Sequence, residues 1–235
     1  MSLPLPPSRL RQGGRHFKSD EDFLSSGMRD ADRLRESAGL AADSMVLDFG
    51  CGAGRFAYGL IYTHWFDGSY LGLEVQPRHV EWCDNTITSA HPSYRFELIE
   101  AQNDRYNPRG TGSHFLPVKS RSVDLFYAYS VFSHMAGVDV RDYLEEISRV
   151  LAPTGRAFVT VFTEADVPYE SVNPRWYGTI DWSLPLHCVL FDVDWLDYLI
   201  RRAGLTYDAF YKGAEVDGQT GLVLRRADPE GGSLD

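Results

Sequence analysis

Ser44-Met-Val-Leu-Asp-Phe-Gly-Cys-Gly-Ala-Gly-Arg-Phe56 is the stretch whose reading decides the fold. An apolar run, Met45 to Leu47, ends in an acid, Asp48. Gly50, Gly52 and Gly54 follow at alternate positions, and helical sequence runs from Arg55 to Trp65. This order predicts a strand, a tight turn and a helix, the turn stripped of Cβ atoms so that a ligand can lie against its backbone. A dinucleotide-binding turn spaces its glycines Gly-x-Gly-x-x-Gly. The spacing here is Gly-x-Gly-x-Gly behind an acid, which speaks against a nicotinamide-dependent oxidoreductase.

Outward from that turn, the pattern alternates. Strands are predicted at residues 69–75, 94–99, 123–129 and 156–162, with helices at 78–90 and 138–151 and a turn at Pro153-Thr-Gly155. Residues 102–122, rich in Asn, Gly and Pro, read as a long loop, and residues 163–190 show no clear period. A helix at 193–203 precedes strands at 205–211 and 221–226. About nine residues separate those last two strands, too few for a crossover helix, so they pair antiparallel. The rest of the alternation predicts an α/β fold: a mostly parallel sheet covered by helices on both faces.

Residues 1–40 form an N-terminal arm and helix. Ser19 caps that helix, Asp20, Glu21 and Asp22 suit its first turn, and Gly39 stops it. Gly27 is expected to kink it or split it in two. Residues 41–226 form the main domain, with a lid-like insertion at about 163–190, and residues 227–235 are a tail.

With 43% hydrophobic residues in 235, the chain can bury a sizeable core, which excludes disorder throughout. A net charge of -10 argues against nucleic acid as the main partner, because phosphate backbones need a basic face. Three widely spaced cysteines suit a reducing compartment better than a disulfide framework. No run approaches the roughly 20 apolar residues of a membrane span, and the N-terminus lacks an apolar signal region. A cytoplasmic protein with no membrane partner is the expectation. Seven histidines show no pairing at metal-ligand spacing and there is no Cys-x-x-Cys, so no metal site is expected.

In such sheets, ligands bind beyond the carboxyl ends of the strands, so the residues there carry the chemistry. Glu74 ends the second strand, 26 residues after Asp48. An acid there is suited to accept two hydrogen bonds from a ribose diol; the alternative is a solvated acid at a strand end. The third strand's end falls on Ala101, followed by Gln102 and Asn103, and the fourth's on Tyr129-Ser-Val-Phe-Ser-His134.

The turn Val46-Leu-Asp-Phe-Gly-Cys-Gly-Ala-Gly54, Glu74, the 123–129 strand and the terminal strand pair resemble the class I S-adenosylmethionine-dependent methyltransferases, over about residues 23–226. The resemblance implies a Rossmann-like sheet of seven strands, with S-adenosylmethionine as cofactor. By the same resemblance, Asp48, Gly50, Cys51, Gly52 and Gly54 hold the amino-acid end and Glu74 the ribose. The family usually reads adenine with an acid after the third strand. Here Gln102 and Asn103 are the candidates, with Tyr129 at the fourth strand's end also facing the cofactor. The run Ser130-Val-Phe-Ser-His134 resembles the members that act on small molecules.

The implied activity is methyl transfer to a small-molecule acceptor, oxygen ahead of nitrogen and carbon last. His134 is a candidate general base, or packs beside the next helix; His187, in the 163–190 segment, is a second candidate. Tyr169, Trp176, Tyr177 and Trp182 either line an acceptor pocket or pack the lid. Arg105 and Arg109 either hold an anionic acceptor or are solvated. Two further readings stay open. One is a module that binds the cofactor without catalysis. The other is a nucleic-acid methyltransferase, against which stand the charge and Tyr127-Ala-Tyr-Ser130 in place of an Asn/Asp-Pro-Pro-aromatic tetrapeptide.

Overall fold

Ser19 opens the first helix as its sequence requires, its hydroxyl accepting the Asp22 amide at 3.0 Å, with three acids in the first turn against the positive helix end. The computed structural model describes residues 3–14, 17–112, 114–178 and 181–228. Helix α1, Asp20–Ser37, runs through Gly27 as a single helix, so the predicted split does not occur. Gly27 instead lets α1 meet α2, Arg55–Thr63. A Cβ on Gly27 would lie 2.4 Å from the Arg55 carbonyl oxygen, and one on Gly59 would lie 2.2 Å from the Gly27 carbonyl carbon. The two glycines allow a backbone-to-backbone crossing that any side chain would push apart.

Nine strands follow among the described residues: β1 Met45–Phe49, β2 Ser69–Glu74, β3 Tyr94–Leu98, β4 Val123–Ala128, β5 Leu151–Glu164, β6 Glu170–Val172, β7 Val189–Asp192, β8 Leu205–Tyr211 and β9 Thr220–Arg226. Strands β3, β2, β1, β4 and β5 are parallel and lie side by side in that order. Strand β9 pairs antiparallel with β5 and β8 antiparallel with β9. Helix α3, Pro77–Cys83, continues as a π turn over Asp84–Thr88. Helix α4 is Gly137–Val150, and α5 is Val193–Arg202.

The expected seven strands are thus present, but the sheet has nine. The two extra strands come from the segment that shows no period. Pairing of β5 with β9 ends at Val161, while β5 runs on to Glu164. The protruding backbone of Phe162–Glu164 pairs with β7, which carries β6 on its other side. Unpaired backbone groups recruit a partner, and three- or four-residue strands are too short to announce themselves by alternation. The predicted turn at Pro153–Gly155 lies within β5, where the register against β4 jumps between Val123↔Leu151 and Leu125↔Arg156.

Helices cover both faces. Leu144 and Ile147 of α4 and Leu196 and Leu199 of α5 pack on one side. Leu34 of α1, Leu60 of α2 and Cys83 of α3 pack on the other. Each such fully buried side chain contributes roughly 1.5–3 kcal/mol. From β1 the chain turns outward to β2 and β3; from β4 it turns the opposite way to β5. The carboxyl ends of β1 and β4 therefore part, opening a crevice at the switch point.

Candidate functional site

The crevice is a cleft walled by the glycine turn, the end of β2, the loop after β3, the end of β4 and the N-terminal arm. The turn is braced from behind: the Gly50 and Cys51 amides donate to the Leu73 carbonyl at 2.8 and 3.1 Å. Gly50 and Gly54 are closed in, by Val131 and Ile87 respectively. Gly52 differs. Its φ is 53°, and a Cβ there would have nothing within 4 Å, so it leaves the cleft floor open for a ligand.

Two buried acids flank this floor. Asp48, at the end of β1, accepts the Tyr70 hydroxyl, and burial pushes its carboxyl up to about 7 against that hydrogen bond. Glu74, at the end of β2, accepts three amides: Gly52 at 2.9 Å, Val75 at 2.8 Å and Gln76 at 3.0 Å. Burial raises its carboxyl, opposed by His79 and those amides.

The N-terminal arm supplies a wall that sequence reading assigned to no function. Arg11, Gln12, Gly13 and Phe17 line the cleft. Arg11 is buried and staples the arm through the Pro6 and Lys18 carbonyls at 2.8 and 2.9 Å and through Asp20. His79 Nε2 donates to the Leu10 carbonyl at 3.0 Å, and the Tyr58 hydroxyl to Pro4 at 2.6 Å. Arg55 joins arm to sheet: its guanidinium lies 4.9 and 4.8 Å from the Phe17 and Tyr129 rings. It also pairs with Asp30 at 2.7 Å and donates to the Tyr127 hydroxyl at 2.6 Å. The signal that could have found this wall is Gly13-Gly14 followed by Phe17, an aromatic anchored after a flexible pair.

His134, in the 3-10 turn after β4, also lines the cleft. Its Nδ1 donates to the Leu186 carbonyl at 3.0 Å, which leaves Nε2 as the acceptor nitrogen, facing the Ser130 hydroxyl at 3.5 Å. Burial first, then the Arg105 cation, push its pKa down to about 4. Asn103 serves the same end. Its Oδ1 accepts the Arg105 and Tyr106 amides at 3.0 and 3.1 Å, and its Nδ2 donates to the His134 carbonyl at 2.8 Å. The Asn103 amide is therefore spent on shaping the loop, whereas Gln102 is exposed on the cleft edge and donates only to Asp104, at 3.3 Å.

His187 stands outside the cleft wall, its ring edge-on to Trp182 at 5.2 Å. Tyr177 and Trp182 pack on Phe162, while Tyr169 and Trp176 are exposed, and none of the four reaches the cleft. The first pair therefore packs residues 163–190 against β5 and β7.

A methyltransferase-domain family model matches residues 23–209. The chain belongs to this family. Among solved structures, this methyltransferase is similar in fold to a Burkholderia thailandensis 1,6-didemethyltoxoflavin-N1-methyltransferase bound to its substrate and S-adenosylhomocysteine. That match has 18% identity, 89% of this chain and 80% of the other, and a TM-score of 0.57. The mitomycin 7-O-methyltransferase matches at 18% identity over 89% of this chain and 58% of its own, TM-score 0.58. The cyclase SpnF matches at 18% identity over 85% and 80%, TM-score 0.60. At these identities the likeness is one of fold. The family's cofactor is S-adenosylmethionine, and the open face of Gly52 between two buried acids fits such a ligand. Among the described residues, no helix is long and apolar enough to cross a membrane.

Proposed function

We propose that this methyltransferase moves a methyl group from S-adenosylmethionine to a hydroxyl of a small-molecule acceptor. The observation that carries the reading is a single cleft lined by the open glycine floor, Glu74 and the His134 imidazole, whose Nδ1 is tied to Leu186. Bound S-adenosylmethionine supplies a sulfonium-activated methyl. Asp48 and the Gly50–Gly54 turn would hold its amino-acid end, Glu74 its ribose, Gln102 its adenine and Tyr129 its flank.

The chain's own work is alignment, exclusion of water and one proton transfer. Positioning of the two reactants is worth up to ~7–11 kcal/mol in favourable cases. Arg11, Gln12, Gly13 and Phe17 of the arm wall the cleft and keep water out. His134 Nε2 takes the hydroxyl proton as the oxygen–methyl bond forms and the methyl–sulfur bond breaks; its lowered pKa keeps the imidazole neutral at pH 7 and makes it a weaker base than an ordinary histidine. His134 rather than His187 is assigned this step because only His134 lines the cleft.

Isothermal titration with S-adenosylhomocysteine tests the reading. A saturable heat is expected, with affinity at least tenfold weaker in Glu74→Ala, since hydrogen bonds to a charged group are worth roughly 1.5–3 kcal/mol. Absence of binding, or equal binding by the variant, would reject it. A second reading, cofactor binding without methyl transfer, rests on Gln102 rather than an acid standing at the adenine position. Transfer of label from methyl-tritiated cofactor into a metabolite extract, abolished in His134→Gln, excludes that second reading.

A further inference from the structure

Arg105 carries a cation that the fold leaves without an acceptor. It sits in the loop after β3, between Asn103 and Tyr106, both on the cleft wall. Nε and Nη1 of its guanidinium are buried and donate to no partner. The nearest acid in sequence, Asp104, is engaged by Gln102 Nε2. The guanidinium carbon lies 5.2 Å from the Tyr106 ring centre, and that ring lies 5.8 Å from the His134 ring. Across from it is the lid, where Leu186 holds His134 and the next residue, His187, has a buried Nδ1 that also lacks a partner. The Arg105 charge also lowers the pKa of both imidazoles.

Buried donors left unpaired are costly, and a charged one more so, unless a ligand completes them. A guanidinium is a planar fork whose natural complement is an oxyanion. We propose that Arg105, with His187, forms a subsite for an oxyanion group of the methyl acceptor, a carboxylate or a phosphate, beside the His134 end of the cleft. The acceptor is then an anionic hydroxylated molecule. The proposal rests on the reading of the His134 end as the acceptor's place. Arg105 holds the substrate by a group distant from the reacting oxygen, and its uncompensated charge repels cationic acceptors.

The test is a nuclear magnetic resonance titration of the full chain, reading the ring signals of His134 and His187. Benzoate and phenyl phosphate are the probes and benzamide the uncharged control, each with and without saturating S-adenosylhomocysteine. An oxyanion probe should shift both histidines saturably, benzamide should not, and Arg105→Gln should weaken the effect about tenfold or more. Arg105→Lys, which keeps charge but not the fork, should fall between. The stronger of the two probes tells carboxylate from phosphate. No shift with either oxyanion, an equal response to benzamide, or undiminished binding in Arg105→Gln would overturn the proposal. Cofactor binding is read separately, since Arg105→Gln should leave S-adenosylhomocysteine affinity unchanged.

Discussion

Asp48 shows how one residue can serve a site at a cost to the fold. Its folded pKa, about 7, lies above its ordinary value of 3.8 because the carboxylate is stripped of water. The folded state therefore binds more protons than the unfolded one between those two values. The stability linked to this group is fully present below about pH 4 and is lost as pH rises through 7. Asp48→Asn keeps an oxygen for the Tyr70 hydroxyl and cannot ionise. It should be more stable than the parent at pH 8, on the order of 4 kcal/mol by linkage, with the gain gone near pH 4. Denaturant unfolding at both pH values checks this; a gain independent of pH would show that Asp48 does not titrate as stated. S-adenosylhomocysteine affinity of the same variant should fall, the mark of a residue kept for binding.

Between elements, the crossing of α1 and α2 depends on Gly27 and Gly59. Gly59→Ala would press a methyl to 2.2 Å from the α1 backbone, where nothing flexible can yield. Overpacking of this kind costs about 1–3 kcal/mol, and this contact belongs at the upper end. Circular dichroism melts should show it, whereas Gly39→Ala, with open space around its Cβ, should lose only about 1 kcal/mol, from its positive φ. Gly27 is also where sequence reading went astray. A glycine inside a helical period signals a weak point or a close approach equally well, and only the position of α2 distinguishes them. Strands β1 to β5, β8 and β9 were legible because each carries an apolar run long enough to show its period. Strands β6 and β7 were not, since pairing with the overhang of β5, rather than their own pattern, makes them strands.

Across the whole molecule, the arm closes the site from a distance of many residues. Arg11, His79 and Tyr58 pin it by hydrogen bonds to backbone carbonyls, contacts that carry no sequence signature on the arm's side. Removal of residues 1–17 should leave the sheet folded but weaken S-adenosylhomocysteine about tenfold or more, by uncovering the cleft. Calorimetry on the truncated chain measures this; unchanged affinity would mean the arm is not part of the binding wall. The milder variant His79→Ala should move affinity in the same direction by a smaller factor.

The sequence by itself determined the parallel core, the glycine turn, its two acids and thereby the family. These are local patterns in which spacing along the chain is the chemistry: a strand end, a turn without Cβ atoms and a helix start are neighbours in space because they are neighbours in sequence. The tertiary structure alone decided which polar groups are spent and which remain. It turned Asn103 inward to hold His134 and tied His134 Nδ1 to the lid at Leu186. It also brought the arm against the cleft and left two buried guanidinium nitrogens of Arg105 without an acceptor. Those outcomes depend on contacts between segments tens of residues apart, and burial, which sets both charge state and unmet hydrogen bonds, exists only once the chain has folded.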